Sequence, residues 1–131
     1  MQRCLDLAAK AKANGKTPVG AVIVRDEDII AEGIEGGPEL PSPLAHAEVV
    51  AIINAIDKLG SKDLSGCVLY TNVEPCLMCS YLIRQTKISK VVYGKEAGEI
   101  GGARGKFPIL ISNSIAKWGE PPIVSRSDEG T

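Results

Sequence analysis

An almost wholly apolar run at residues 19–24 constrains the fold more than any other feature of the sequence. The run is rich in β-branched residues, and it is far shorter than the roughly 18 residues that a membrane span needs. Such a run is typical of a strand that is covered on both faces. A polar turn at residues 26–28 leads into a second apolar run at residues 29–33, so the two runs predict a hairpin.

Helical patterns alternate with further strands along the rest of the chain. Apolar positions recur at helical spacing over residues 45–59, and Gly60 follows as a natural stop. The other predicted elements are a helix at residues 5–13, a strand at 67–71, a helix that starts at Pro75, a strand at 89–93, and a short helix and an edge strand after residue 107. Residues 94–105 contain five glycines and are predicted to form a loop. This alternation predicts an α/β fold, a three-layer α-β-α sandwich in which a mixed five-stranded sheet has helices on both faces.

Length, composition and charge exclude several classes of protein. The chain has 131 residues, which predicts a single domain over residues 1–131. The content of 44% hydrophobic and 24% charged residues is that of an ordinary globular domain. No membrane partner is expected. Because Asp6 stands where a signal peptide would begin its apolar stretch, we expect the protein in the cytoplasm.

The charge pattern disfavours a nucleic-acid partner. The net charge is −1, whereas a protein that binds nucleic acid over its whole surface is usually basic. One local imbalance remains, since residues 84–106 hold six basic and two acidic residues. A solvated face explains this imbalance better than a track for phosphates.

The cysteines and the single histidine point to a metal site. Metal or catalytic use of the four cysteines fits a cytosolic chain better than disulfides do. Cys76 and Cys79, taken alone, are compatible with a redox pair or with buried thiols. Together with His46 they supply the three protein ligands of a catalytic zinc, which keeps water in its fourth position. The spare cysteines, Cys4 and Cys67, lie in other predicted elements, so an open site is favoured over a closed structural one.

Glu48 is the candidate catalytic carboxylate. Positions i and i+2 of a helix lie about 200° apart, so Glu48 and His46 converge on one site only at the start of a helix. Zinc lowers the pKa of a bound water to about 7, and a nearby carboxylate then moves its proton to a leaving amine. The alternative is an acid that complements the helix dipole in the first turn. The position of Glu48 next to the only histidine favours the catalytic interpretation.

Two motifs resemble the signature of a known superfamily. They are His46-Ala47-Glu48 and Glu74-Pro75-Cys76-Leu77-Met78-Cys79. They are similar to the H-x-E and P-C-x-x-C pattern of the zinc-dependent cytidine deaminase-like superfamily. The resemblance extends over residues 18–94 and weakens after Gly98. It is strongest to the branch that contains guanine deaminases, fungal-type cytosine deaminases and tRNA adenosine deaminases.

The resemblance implies roles for individual residues. His46, Cys76 and Cys79 would bind Zn²⁺, and Glu48 would shuttle protons. The substrate would be contacted by Glu35, Ala47 and Glu74. The resemblance also implies a homodimer.

Glu35 departs from the pattern of the resembled branch, which usually places an Asn at this position in contact with the base. An ionised Glu only accepts hydrogen bonds, so a pocket that contains Glu35 should favour a ring with two N–H groups. The favoured function is therefore hydrolytic deamination of a small aminated heterocycle, a free or nucleoside-like base such as guanine. A tRNA adenosine deaminase is the alternative, and a non-catalytic, zinc-stabilised interaction module is the alternative from another class.

The C-terminal part of the sequence favours a small substrate as well. Residues 101–131 lack the long basic terminal helix that the resemblance leads us to expect of a tRNA adenosine deaminase. Phe107 and Trp118 are candidates for a wall that stacks on a planar ring, but a core role explains each of them equally well.

Overall fold

A computed structural model of the protein describes residues 1–37 and 40–127. The helices and strands in these ranges are α1 (Gln2–Ala13), β1 (Gly20–Arg25), β2 (Asp28–Ile34), α2 (Ala47–Leu59), β3 (Val68–Val73), α3 (Leu77–Thr86), β4 (Lys90–Lys95) and β5 (Ile123–Arg126), with short 3₁₀ turns at Gly98–Ile100 and Ala116–Trp118. No helix within these ranges is long and apolar enough to span a membrane.

The five strands form one mixed sheet in the order β2-β1-β3-β4-β5. The hairpin pair β1–β2 is antiparallel, as is the pair β1–β3, whereas β3–β4 and β4–β5 are parallel. A parallel pair requires a crossover, and α3 provides the one between β3 and β4. The predicted mixed five-stranded sheet is confirmed.

Helices cover both faces of the sheet. Successive residues of a strand point to opposite faces. Val22 of β1 packs with Cys4 and Leu7 of α1, whereas its neighbour Ile23 belongs to the main core with Ile52 of α2. Helix α3 adds buried apolar side chains to the same core. The predicted three-layer α-β-α sandwich is confirmed.

The helices next to the two motifs begin later than predicted. Helix α2 starts at Ala47, because the extended backbone of His46 (φ −79°, ψ 142°) places it at the N-cap position. Helix α3 starts at Leu77 rather than Pro75, because Cys76 is extended as well (φ −71°, ψ 179°). Each motif therefore contributes one residue at the junction between a loop and a helix.

Arg84 anchors the C-terminal segment to α3. Its side chain is buried, with 2% of the residue exposed, and its guanidinium donates to the carbonyls of Ile109, Ser112 and Gly119. The ring of Trp118 lies 4.9 Å from the guanidinium carbon. Arg84 is thus not part of a solvated basic face, and the interpretation of residues 84–106 as one such face is wrong at this position.

The end of the chain agrees in part with the prediction. The predicted short helix is the single 3₁₀ turn at Ala116–Trp118, and the predicted edge strand is β5. Phe107 is 62% exposed, so a core role for this residue is wrong. Trp118 packs edge-to-face on Tyr81 and donates from its indole nitrogen to Gln85.

Candidate active site

The amino ends of α2 and α3 meet at one edge of the sheet. His46 is the N-cap residue of α2, and Cys76 is the N-cap residue of α3. Cys79 lies in the first turn of α3 and is buried. The amino end of a helix carries partial positive charge, which stabilises negative charge on groups at this position.

The three predicted ligands come together in a geometry that fits zinc. Nδ1 of His46 lies 3.5 Å from Sγ of Cys76 and 3.5 Å from Sγ of Cys79. Zinc bonds of 2.3 Å to sulfur and 2.0–2.1 Å to nitrogen, at a tetrahedral angle, put these atoms about 3.6 Å apart. His46 and Cys76 are only partly buried, which leaves an open side for a fourth ligand. This donor set suits a catalytic zinc.

Other cysteines in the described ranges do not complete the set. Cys4 is a buried residue of α1, and Cys67 is buried directly before β3. Burial raises the pKa of the Cys4 thiol to about 11 and also raises that of Cys67, so both favour the protonated form. The prediction of an open site with three protein ligands agrees with this placement.

The pKa values of the two thiols of the site are shifted in opposite directions. The hydrogen bond from Cys79 lowers the pKa of the Cys76 thiol to about 5. The same hydrogen bond and burial raise the pKa of Cys79. Metals bind cysteine as the thiolate, so metal binding at this pair releases the proton that Cys79 retains.

Glu48 lies beside the ligand set. It is the second residue of α2, and only 4% of it is exposed. Burial, together with the nearby Cys76 and Glu35, raises the pKa of its carboxyl to about 8. Its side chain forms a hydrogen bond with Cys79. A carboxyl with a raised pKa next to a metal site is well suited to take up and return a proton near neutral pH.

Glu35 lies next to the start of α2, close to His46. It follows β2, and its Oε1 accepts a hydrogen bond from the backbone N–H of Ala47, 3.1 Å away. A cavity of about 270 Å³ is lined by Glu35 and His46, together with residues of the loops before β1 and α2. The structure therefore places Glu35 at the cavity next to His46, whereas Ala47 is fully buried and does not line this cavity. Their contact with a substrate stays a prediction.

Glu74, the third predicted substrate contact, has other partners. It is 1% exposed, and its carboxylate accepts hydrogen bonds from the backbone N–H groups of Ala97, Ala103 and Arg104. It does not line the cavity next to His46. These contacts fit an anchor for a loop, and sequence spacing carried no signal for them.

Comparison with known families decides what kind of protein this is. Residues 1–95 match the family described as the cytidine and deoxycytidylate deaminase zinc-binding region. The chain belongs to this family. It is a zinc-dependent deaminase, and the resemblance inferred from the two motifs is confirmed.

Individual relatives extend the likeness to most of the chain. A tRNA-specific adenosine deaminase of Aquifex aeolicus is 39% identical over 124 residues, which cover 92% of this chain and 82% of the relative. A solved structure from a study of A-to-I editing by tRNA:A34 deaminases at the wobble position has a TM-score of 0.87 at 31% identity, covering 97% of this chain and 95% of the other. The guanine deaminase of Bacillus subtilis has a TM-score of 0.68 at 43% identity, covering 72% of this chain and 61% of the other.

Proposed function

We propose that this deaminase hydrolyses the exocyclic amino group of an adenosine in tRNA and releases ammonia. The buried Glu48 next to the ligand set of His46, Cys76 and Cys79 carries the proposal for the chemistry. Similarity to tRNA-specific adenosine deaminases over most of the chain supports an adenosine in tRNA as the substrate. A free base such as guanine, which the sequence alone favoured, is less well supported as the substrate than tRNA is.

Glu35 favours a free base less strongly in the structure than in the sequence. An ionised Glu only accepts hydrogen bonds, which favoured a ring with two N–H groups. In the structure, Oε1 of Glu35 accepts the N–H of Ala47. This bond takes one of the roughly four acceptor sites of the carboxylate and ties Glu35 to the start of α2, so Glu35 also has a role within the protein.

In the proposed mechanism, His46, Cys76 and Cys79 would hold the zinc, which would lower the pKa of a water so that it is a nucleophile near neutral pH. Glu48 takes a proton from the attacking water, whose oxygen forms a bond to the ring carbon that carries the amino group. Glu48 passes this proton to the adjacent ring nitrogen, whose double bond to that carbon becomes a single bond. Glu48 then takes the proton of the new hydroxyl group and donates it to the amino nitrogen, the carbon–nitrogen bond breaks, and ammonia leaves. The ring keeps a carbonyl on the carbon and a hydrogen on the adjacent nitrogen, so both protons of the water are accounted for.

Two basic side chains at the edge of the site support a substrate that carries phosphates. Lys95 ends β4, and Arg104 lies in the loop that follows. Since β3 and β4 are parallel, the end of β4 lies at the same edge of the sheet as the start of α3. Within the described ranges neither side chain forms an ion pair. Both are free to contact a polyanion.

Neutralising these two side chains should weaken tRNA binding and its salt dependence. We expect Lys95→Gln combined with Arg104→Gln to lower the slope of log binding constant against log salt by about two, because each phosphate contact releases about one counterion. The matched control is Lys87→Gln combined with Lys90→Gln, which removes the same charge at the opposite end of β4. Equal slopes for both double variants would contradict a phosphate contact at the site edge.

Deamination of a small base is the second candidate function, and Glu35 is the observation that favours it. If Glu35 contacts the ring, Glu35→Asn should move preference from guanine-like toward adenosine-like rings. The ratio of kcat/KM for a guanine-like ring to kcat/KM for an adenosine-like ring should fall by an amount that corresponds to about 1–3 kcal/mol. Glu32→Gln on β2 is the control for charge loss, since Glu32 pairs with Arg3 outside the site. An unchanged ratio at full zinc content would mean that Glu35 does not contact the substrate.

Ammonia release from a panel of substrates tests the proposed function. The panel contains tRNA, free adenosine, guanine and cytosine, each at the same concentration of amino groups. The proposal expects release from tRNA at a far higher kcat/KM than from any free base, together with inosine in the product. Release from guanine alone would overturn it in favour of the second candidate. The homodimer implied by the family resemblance stays a prediction.

A further inference from the structure

A buried carboxylate without a cation lies two residues before the first cysteine of the site. Glu74 follows β3, and within the described ranges it forms no ion pair. Its Oε1 accepts from Ala97, 2.9 Å away, and its Oε2 accepts from Ala103 and Arg104, 2.8 and 2.6 Å away. A buried charge is costly unless several hydrogen bonds compensate for it. The three backbone N–H groups compensate for the burial of this carboxylate. They also hold both ends of the 97–104 loop to one side chain.

The middle of the same loop pairs with the backbone of Cys76. Cys76 and Gly101 form an isolated antiparallel bridge, and Gly102 donates from its N–H to the carbonyl of Pro75 at 2.8 Å. A Cβ at Gly101 would overlap the Glu74 carboxylate, and one at Gly102 would overlap the hydroxyl of Ser80. The loop therefore lies directly on the segment that contains Cys76, with no room for a side chain at these two positions.

Cys76 has backbone contacts on the helix side and on the loop side. As the N-cap residue of α3, Cys76 has extended rather than helical backbone angles. Its carbonyl accepts from Ser80 within the helix, but on the loop side its support is the bridge to Gly101. A ligand at a junction between loop and helix is less restrained than Cys79, which is inside α3.

We propose that Glu74 is a positioning residue for the zinc ligand Cys76 and acts through the 97–104 loop. Its carboxylate holds Ala97 at one end of the loop, and Ala103 and Arg104 at the other. With both ends held, Gly101 stays against Cys76 and keeps its thiolate directed at the metal. Groups that orient metal ligands in this way typically change metal affinity or activity 10- to 100-fold when they are replaced. The inference rests on the zinc site of the proposed function and not on its substrate.

The test replaces Glu74 by Gln, which has the same shape but turns one acceptor into a donor facing a backbone N–H. We expect zinc to be lost to a competing chelator at a concentration lower by at least about tenfold. We also expect faster hydrogen exchange at the amides of Ala97, Gly101, Ala103 and Arg104. The control is Glu99→Gln, which removes the same charge from the same loop but breaks only an exposed ion pair with Lys106.

Gly101→Ala is the second variant, because its methyl group would overlap the Glu74 carboxylate and force the loop and the carboxylate apart without removing the carboxylate. It should weaken zinc retention in the same direction. If both variants retain zinc as the wild type and Glu99→Gln do, the proposal is overturned, whether or not their thermal stability changes. Weak zinc retention with normal stability would support it. Because zinc retention is measured without substrate, absence of ammonia release from every substrate would count against the proposed function alone.

Discussion

Replacement of Cys76 by alanine is expected to remove zinc and to abolish ammonia release. The change leaves two of three protein ligands, whereas a catalytic zinc site needs three to hold the metal with one position open. Sγ of Cys76 lies 3.5 Å from Nδ1 of His46, so its loss opens one side of the ligand set. His46→Ala should have the same effect. The measurements are zinc per chain by elemental analysis and the rate of ammonia release.

Cys67→Ala is the matched control for this experiment. It removes a buried thiol directly before β3, outside the ligand set. We expect this variant to keep its zinc and its turnover, at some cost in stability from the lost burial. Full activity of a metal-free Cys76→Ala protein would refute the zinc mechanism.

Glu48→Gln should keep zinc but lose turnover. Glutamine has the shape of glutamate and is not required as a ligand, so the metal stays bound. It cannot take up and return a proton, and we expect kcat to fall by at least about 100-fold, the usual contribution of general acid–base catalysis. Rates are compared at equal zinc content.

Asp57→Asn is the control for Glu48→Gln, because it neutralises an exposed acid on the same helix α2. It should leave kcat unchanged. Near-normal turnover of the Glu48→Gln protein would assign Glu48 to the other role considered for it, an acid that complements the dipole at the start of α2.

Most of the fold could be predicted from the sequence because burial of one or both faces gives the apolar residues of each helix and strand a characteristic spacing. The run at residues 19–24 is apolar throughout, and as β1 it lies between two strands with helices on both faces. The helical spacing of residues 45–59 corresponds to α2, which ends at Gly60 in a left-handed conformation as predicted. Periodicity does not report where a helix begins, so both motif helices were predicted to start two residues early.

A candidate set of metal ligands could be chosen from the sequence because few residue types bind zinc and the chain has only one histidine. The structure places these three residues where they could hold one ion. Their chemistry restricts the choice before any geometry is known. The environment of Glu74 could not be predicted, since the three amides that it binds are 23 to 30 residues away along the chain. Arg84 is a similar case, because its carbonyl partners belong to a segment without periodicity.

Stepwise return of zinc to metal-depleted protein tests the central claim, a zinc-dependent deaminase, most directly. Ammonia release from the preferred substrate is measured at each ratio of zinc to protein. The rate should rise in proportion to bound zinc and level off at about one zinc per chain. A metal-depleted protein that releases ammonia at the full rate, with no response to added zinc, would contradict the account.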